Sequence, residues 1–244
     1  MKIEGIGLDL EGNLVDIEFV HHTSHLEILR EWGVPLSFDE ALKLIPCFIG
    51  GPDEKVAEAA VKSSKERTGE DHDVAEYLKE KRARYKKYLP QVPMVLRPGV
   101  ELSIRWLRSN GLEVVVGSVT NTDQARVIVE RAGLINIIKK DNFIFREDVT
   151  HPKPDGEIWI KGAGKLGIKP EGMAIFGDSP GDIKSARNAG CPFGIAMPVF
   201  NKPELMIRLI NEGADRIFMD WREINFPALF ENLNQELQSK IRHF

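Results

Sequence analysis

The feature that most constrains this chain is a short apolar run that recurs between helices. Its clearest example is Glu113–Val119, where Val114, Val115 and Val116 form an unbroken β-branched stretch. A half-solvated strand alternates apolar and polar residues; an unbroken run suits a parallel strand covered on both faces. Residues 1–10 set Ile3, Ile6, Leu8 and Leu10 among glycines and charges. They predict a strand ending near Asp9, followed by a Gly12–Asn13 turn. Asn142–Phe145, Met173–Phe176 and Phe193–Met197 predict three further strands, and Arg216–Met219 one at the edge. Helices fall between them. Val100–Ser109 stops at Asn110–Gly111, Asp123–Ala132 stops at Gly133, and Glu157–Lys165 precedes the fourth strand. Pro180–Ala189 has proline in its first turn and Gly190 past its end, the usual asymmetry of helix termini. Strand–helix alternation of this kind predicts an α/β class: a doubly wound, Rossmann-like parallel sheet.

Residues 17 to about 95 interrupt the alternation with amphipathic helices. One covers Phe19–Trp32 and is stopped by Gly33 and Pro35. Another starts at Ser37, whose spacing to Glu40 fits a capping box. A third begins at Pro52, with Asp53 and Glu54 suited to the helix dipole. A fourth runs through Tyr77, Tyr85 and Tyr88 to Pro90. The organisation predicted is a catalytic core of 1–16 and 96–244, with an inserted helical domain, 17–95. Leu14–Ile17 and Pro93–Pro98 are the expected hinges. The 244 residues suffice for a core without disulfides or a structural metal.

Composition excludes several classes. A formal net charge of −4 gives no general attraction to nucleic acid or anionic membrane. No apolar run approaches the roughly 18 residues that span a bilayer, and the N-terminus lacks the apolar stretch of a signal peptide. Cys47 and Cys191 are far apart and read as reduced core thiols of a cytoplasmic protein. The oligomeric state stays open between monomer and homodimer. His21, His22 and His25 form HHxxH; a third metal ligand is not evident, and contact with substrate is the better reading. Gly162, Gly164 and Gly167 spell GxGxxG, but no helix can follow before the strand at Met173, so no phosphate loop is expected. The basic run Lys79–Lys87 contains Glu80 and reads as a solvated helix face.

Ligands of open parallel sheets bind beyond the carboxyl ends of the strands. The first strand ends in Asp9-Leu10-Glu11-Gly12-Asn13, the second in Ser118-Val119-Thr120-Asn121. His151-Pro152-Lys153-Pro154 follows the third, and Gly177-Asp178-Ser179-Pro180-Gly181-Asp182 ends the fourth. Crowded carboxylates need a cation, and hard oxygen ligands favour Mg²⁺. A lysine and hydroxyls suit a phosphate held beside it. Without a P-loop the nucleophile is a side chain or water, and a carboxylate can serve through an aspartyl-phosphate.

These four segments resemble, in order, the four motifs of the haloacid dehalogenase superfamily, whose first motif is usually written DxDGTxxD. The helical insertion resembles the helical cap of phosphoglycolate phosphatase and β-phosphoglucomutase. The resemblance implies that Asp9 is the nucleophile and Glu11 the acid/base. It implies that Ser118, Thr120, Asn121 and Lys153 bind the phosphoryl group. Mg²⁺ is held by Asp9, the Glu11 carbonyl and Asp178, with Asp182 in support. Two positions depart from the family: Glu11 stands where Asp is usual, and Asn13 where Thr is usual. Glu at the first also occurs in enolase-phosphatases of methionine salvage. A carboxylate there argues against a dehalogenase or a phosphonoacetaldehyde hydrolase. The implied function is a Mg²⁺-dependent phosphatase of a small phosphorylated metabolite. The alternatives are a phosphomutase, or a catalytically impaired binding protein on the same fold.

Overall fold

The computed structural model describes residues 2–45, 48–49 and 53–242. Cys47 and Pro52 therefore lie outside the described residues. Contacts divide the chain into two units. The first comprises residues 1–16, 94–201 and 206–244; the second comprises residues 17–93 and 202–205.

The first unit is built on a six-stranded parallel sheet. Its strands are β1 (Gly5–Leu8), β2 (Glu113–Gly117), β3 (Phe143–Ile144), β4 (Met173–Gly177), β5 (Phe193–Ala196) and β6 (Arg216–Ile217). Their order is β3-β2-β1-β4-β5-β6, the doubly wound arrangement read from the sequence. β1 is central: Leu8 pairs with Val116 on one side and Phe176 on the other. All four residues of β1 are buried, as expected of a strand with helices on both faces. In chain order after the helical segment come α5 (Val100–Ser109), α6 (Thr122–Arg131), α7 (Glu157–Leu166) and α8 (Pro180–Asn188).

The core explains two features that periodicity could not show. Trp159 on α7 is fully buried, and its Nε1–H donates to Ser185 Oγ at 2.7 Å. A Cβ at Gly7 or Gly117 would come within 2.8 Å of the Trp159 ring, so both strands carry glycine where the indole lies against them. Two helices also escaped the sequence reading: α9 (Pro203–Asn211) and α10 (Phe226–Arg242). On α10, Leu229, Phe230, Leu233 and Leu237 are buried, a helical spacing already present in the sequence. The GxGxxG segment lies inside α7, and Gly167 is its left-handed C-cap.

The second unit holds α1 (Glu18–Glu31), α2 (Phe38–Leu44), α3 (Asp53–Thr68) and α4 (Val74–Tyr88). Ser37 and Glu40 form the expected capping box at α2. The interior contains a polar knot. Lys81 Nζ donates to both Asp53 oxygens, at 2.8 and 2.7 Å, and to His21 Nδ1 at 2.7 Å. His25 Nδ1 lies 2.8 Å from the Tyr77 hydroxyl, while its Nε2 is 3.8 Å from Asp53. Burial holds both His22, at about 3, and His25 well below the usual imidazole range. Burial opposes ionisation of Asp53, but Lys81, His21 and His25 outweigh it and hold its carboxyl at about 2.

Two sequence expectations are corrected here. The basic run on α4 is not a uniformly solvated face: Lys81 is buried, and Arg84 bridges Glu27, Glu31 and Glu80. His22 and His25 are also buried within the helical unit. His22 packs against Phe38 and Phe48, and His25 stacks on Tyr77, so both are packing residues rather than substrate contacts. The position shared by His21 and His25 is taken by the Lys81 ammonium and Asp53.

Candidate active site

Asp9 immediately follows β1 and keeps the sheet going for one more residue. Its N–H donates to the Phe176 carbonyl of β4 at 2.9 Å. Asp178 immediately follows β4. These strands are the pair at which the chain reverses its direction of winding, the place where such sheets bind ligands. Asp182 reaches the same place from the first turn of α8. It completes a capping box with Ser179, so its Oδ2 accepts from the Ser179 hydroxyl at 2.6 Å and its N–H at 3.1 Å. A Cβ on Gly177 would stand 2.3 Å from the Asp182 Cβ, so only glycine lets this carboxylate lie against the strand end.

Lys153 arrives from the loop before α7. Its ammonium has three acceptors: Asp9 Oδ1, Asp182 Oδ1 at 2.6 Å and the Gly117 carbonyl at 3.2 Å. The Trp159 ring lies beneath it, 5.6 Å from Nζ. Burial disfavours the charged lysine, yet its ion pairs with Asp182 and Asp9 outweigh that cost and raise its proton affinity above the ordinary value.

Asp9, Asp178 and Asp182 are all buried, and each offers an oxygen within 4.8 Å of the others. Lys153 meets two of these carboxylates and the buried Arg97 acts on Asp178 through space, so three acids face two bases, and the remaining negative charge is costly in a buried region. A hard divalent cation with oxygen ligands fits that excess and that donor set.

Glu11 is buried and accepts a hydrogen bond from the Thr120 hydroxyl. Thr120 is set by its neighbours. Its N–H donates to Ser118 Oγ at 3.1 Å, and its carbonyl accepts from Arg146 N at 3.2 Å. Asn121 is exposed and starts α6 without a side-chain cap. Thus Asp9, Lys153, Asp178 and Asp182 form one cluster, Glu11 and Thr120 pair beside β1 and β2, and Asn121 faces solvent.

Asn13 has a definite role. Its Nδ2 donates to the Asp9 carbonyl at 3.0 Å and the Phe176 carbonyl at 3.2 Å. A threonine hydroxyl has one proton to give, whereas this amide has two. Asn13 therefore braces the Asp9 turn against β4.

Three residues of this region carry no local sequence signal. Arg97 is buried and spans Gly12, Met197, Pro198 and Met219. Trp221 donates to the Asn13 carbonyl at 3.0 Å, and Trp159 underlies Lys153. Arg97 and Trp221 act on carbonyls 85 and 208 residues away.

A family model described as a haloacid dehalogenase-like hydrolase matches residues 3–190. Among curated relatives, a phosphoglycolate phosphatase of Salmonella typhi is 29% identical over 206 residues, covering 78% of this chain and 80% of that protein. A phosphorylated carbohydrates phosphatase of Thermotoga maritima is 24% identical over 189 residues, covering 77% and 82%. Among solved structures, a haloacid dehalogenase-like protein of unknown function from Agrobacterium tumefaciens superposes with a TM-score of 0.78 at 20% identity, covering 95% of this chain and 99% of that one.

Proposed function

The chain belongs to the haloacid dehalogenase-like hydrolases, and from that premise we propose that it is a Mg²⁺-dependent phosphatase acting on a small phosphorylated metabolite through Asp9. The observation that carries this reading is the cluster of Asp9, Asp178 and Asp182 around the Lys153 ammonium. Its carboxylates supply a nucleophile and a cation site, and its lysine supplies the fixed positive charge that phosphoryl transfer needs.

In this reading Asp9 attacks phosphorus, forming a carboxylate–phosphorus bond as the bond to the leaving oxygen breaks. Protonated Glu11 gives its proton to that oxygen. Glu11, now ionised, takes a proton from water, whose oxygen displaces Asp9 and releases phosphate. Lys153 holds the Asp9 carboxylate and matches charge on the phosphoryl oxygens, while the Ser118 and Thr120 hydroxyls, with Asn121 close by, bind the group. Asp9, the Glu11 carbonyl and Asp178 would hold Mg²⁺, with Asp182 in support. The ion would supply charge neutralisation at the phosphoryl oxygens. Among the described residues no helix is long and apolar enough to cross a membrane.

The test is a phosphate-release screen with Mg²⁺ over sugar phosphates, nucleotides, phosphoglycolate and phosphonates. Release from one class of monoester, abolished by Asp9→Asn and by chelation, supports the reading. An isomeric sugar phosphate in place of free phosphate identifies a mutase, and no turnover on any ester overturns both.

A further inference from the structure

The segment that carries Asp9 and Glu11 is held from outside by two side chains far away in sequence. Within residues 9–15 the backbone makes a tight turn. Gly12 N–H donates to Val15 O at 2.8 Å, and Leu14 and Val15 N–H both donate to Leu10 O at 3.0 Å. These bonds shape the turn but do not anchor it to the sheet. Asn13 anchors its inner side to Asp9 and β4. The outer side presents two buried carbonyls, those of Gly12 and Asn13, which must find donors.

Arg97 and Trp221 supply them. Arg97 Nη1 donates to the Gly12 carbonyl at 2.8 Å and to the Met197 carbonyl. Its Nη2 donates to Met219 O at 2.8 Å and Pro198 O at 3.3 Å. One guanidinium thus joins the turn to the ends of β5 and β6. Trp221 Nε1 donates to Asn13 O at 3.0 Å, while its ring stacks on Phe176 at 5.4 Å between centroids. Gly99, at φ +88°, leaves room for this: a Cβ there would meet Trp221 Cβ at 3.1 Å and Arg222 Cγ at 2.9 Å. A buried arginine on four carbonyls is more than packing requires. An apolar residue fills volume as well, whereas the guanidinium fork fixes direction.

We infer that Arg97 and Trp221 are positioning residues for the acid/base step: they fix the turn one and two residues beyond Glu11, and so the reach of its carboxyl toward the leaving oxygen. Glu11 is one methylene longer than the family's usual aspartate and has more freedom to lose. Its backbone must therefore be fixed if its carboxyl is to stay where a proton is handed over. Misplacement by about 1 Å in such a site costs on the order of 100-fold in rate. This inference rests on the acid/base role proposed for Glu11.

Leaving-group dependence tests it. A poor alkyl leaving group needs a proton as its bond to phosphorus breaks, whereas p-nitrophenolate departs without one. The variants are Arg97→Lys, which cannot span four carbonyls, and Trp221→Phe, which keeps the stack on Phe176 and removes a single donor. The substrates are p-nitrophenyl phosphate, followed as a p-nitrophenol burst, and the fastest alkyl phosphomonoester of the release screen. The expected result is an alkyl kcat at least tenfold lower with KM within twofold. The aryl burst falls much less, so the alkyl-to-aryl ratio drops at least fivefold. Equal losses on both esters in correctly melting proteins, or no loss on either, would overturn it. Glu11→Gln serves as the reference. If it shows no alkyl-selective loss, the acid/base reading has failed; if it does while Arg97→Lys and Trp221→Phe do not, only the positioning role has.

Discussion

Both units of the molecule bury a lysine among acids, and in both the ammonium has three acceptors. In the helical unit Lys81 meets the two oxygens of one aspartate and one histidine nitrogen. In the sheet unit Lys153 meets two aspartates and a carbonyl, with a third aspartate in the same cluster. The first arrangement balances: one positive charge meets one negative, and burial keeps the neighbouring His25 neutral. The second does not: Asp9, Asp178 and Asp182 face the Lys153 ammonium and, at Asp178, the Arg97 guanidinium, three negative charges against two positive. A balanced buried pair is complete in itself and serves the fold. An unbalanced one invites a further positive charge, and that incompleteness singles out the candidate site.

The comparison breaks most decisively at Asp9. Asp9→Asn should lower turnover by on the order of 10⁴-fold or more while thermal melting stays near that of the parent; normal turnover would remove the nucleophile assignment. The two lysines separate next. Lys81→Met strands Asp53, whose side chain is 31% exposed, and should cost about 1–3 kcal/mol, unchanged by Mg²⁺. Lys153→Met should abolish activity too, but its lost stability should return with millimolar Mg²⁺. Chemical denaturation with and without the ion reads both, and the contrast fails if Mg²⁺ restores neither or both. Mg²⁺ alone should raise the melting temperature of the parent protein. The gain approaches about 2.7 kcal/mol at 100 times Kd, is reversed by chelator, and is absent in Asp178→Asn.

The last effect is in pH, and it accumulates unit by unit. His22 and His25 are neutral when folded, because burial lowers their proton affinity, and near 6.5 when unfolded. Below 6.5 the unfolded chain binds the extra protons, so stability is full above that value and declines as pH falls. The slope is about 1.4 kcal/mol per pH unit for each ring, and for His22 it ends near 3. Asp53 adds its own loss only from about 4 down to about 2. Hydrogen exchange should therefore show α1 and α4 opening on acidification from pH 6.5, a dependence that His22→Phe reduces.

Much of this was legible from sequence, for a physical reason. β2 and β4 are apolar runs with no helical period, and Gly111, Gly133 and Gly190 mark where helices stop, so the sheet follows from local rules. Asp9, Lys153, Asp178 and Asp182 were legible because strand ends in such sheets converge. The polar knot was not. Lys81 sits in a run of bases identical in composition to a solvated face, and only tertiary packing turned it inward. Arg97 and Trp221 lay equally out of reach, because their partners are carbonyls 85 and 208 residues away, and a carbonyl has no side-chain identity to read. Asn13 looked like a departure from a motif; one acceptor within the turn and one on β4 show it to be a brace.

The indole of Trp159 has a use beyond packing. It is fully buried, 5.6 Å from the Lys153 ammonium, and Trp221 is buried against the Asp9 turn. Two of the chain's four tryptophans therefore adjoin the site as native chromophores. Charge entering or leaving beside Lys153 acts on the excited-state dipole of Trp159 through a medium with little water to screen it. Intrinsic fluorescence would thus gauge occupancy of the proposed site, with Trp106, stacked on Phe226 and Phe230, and Trp32, stacked on His72, as background.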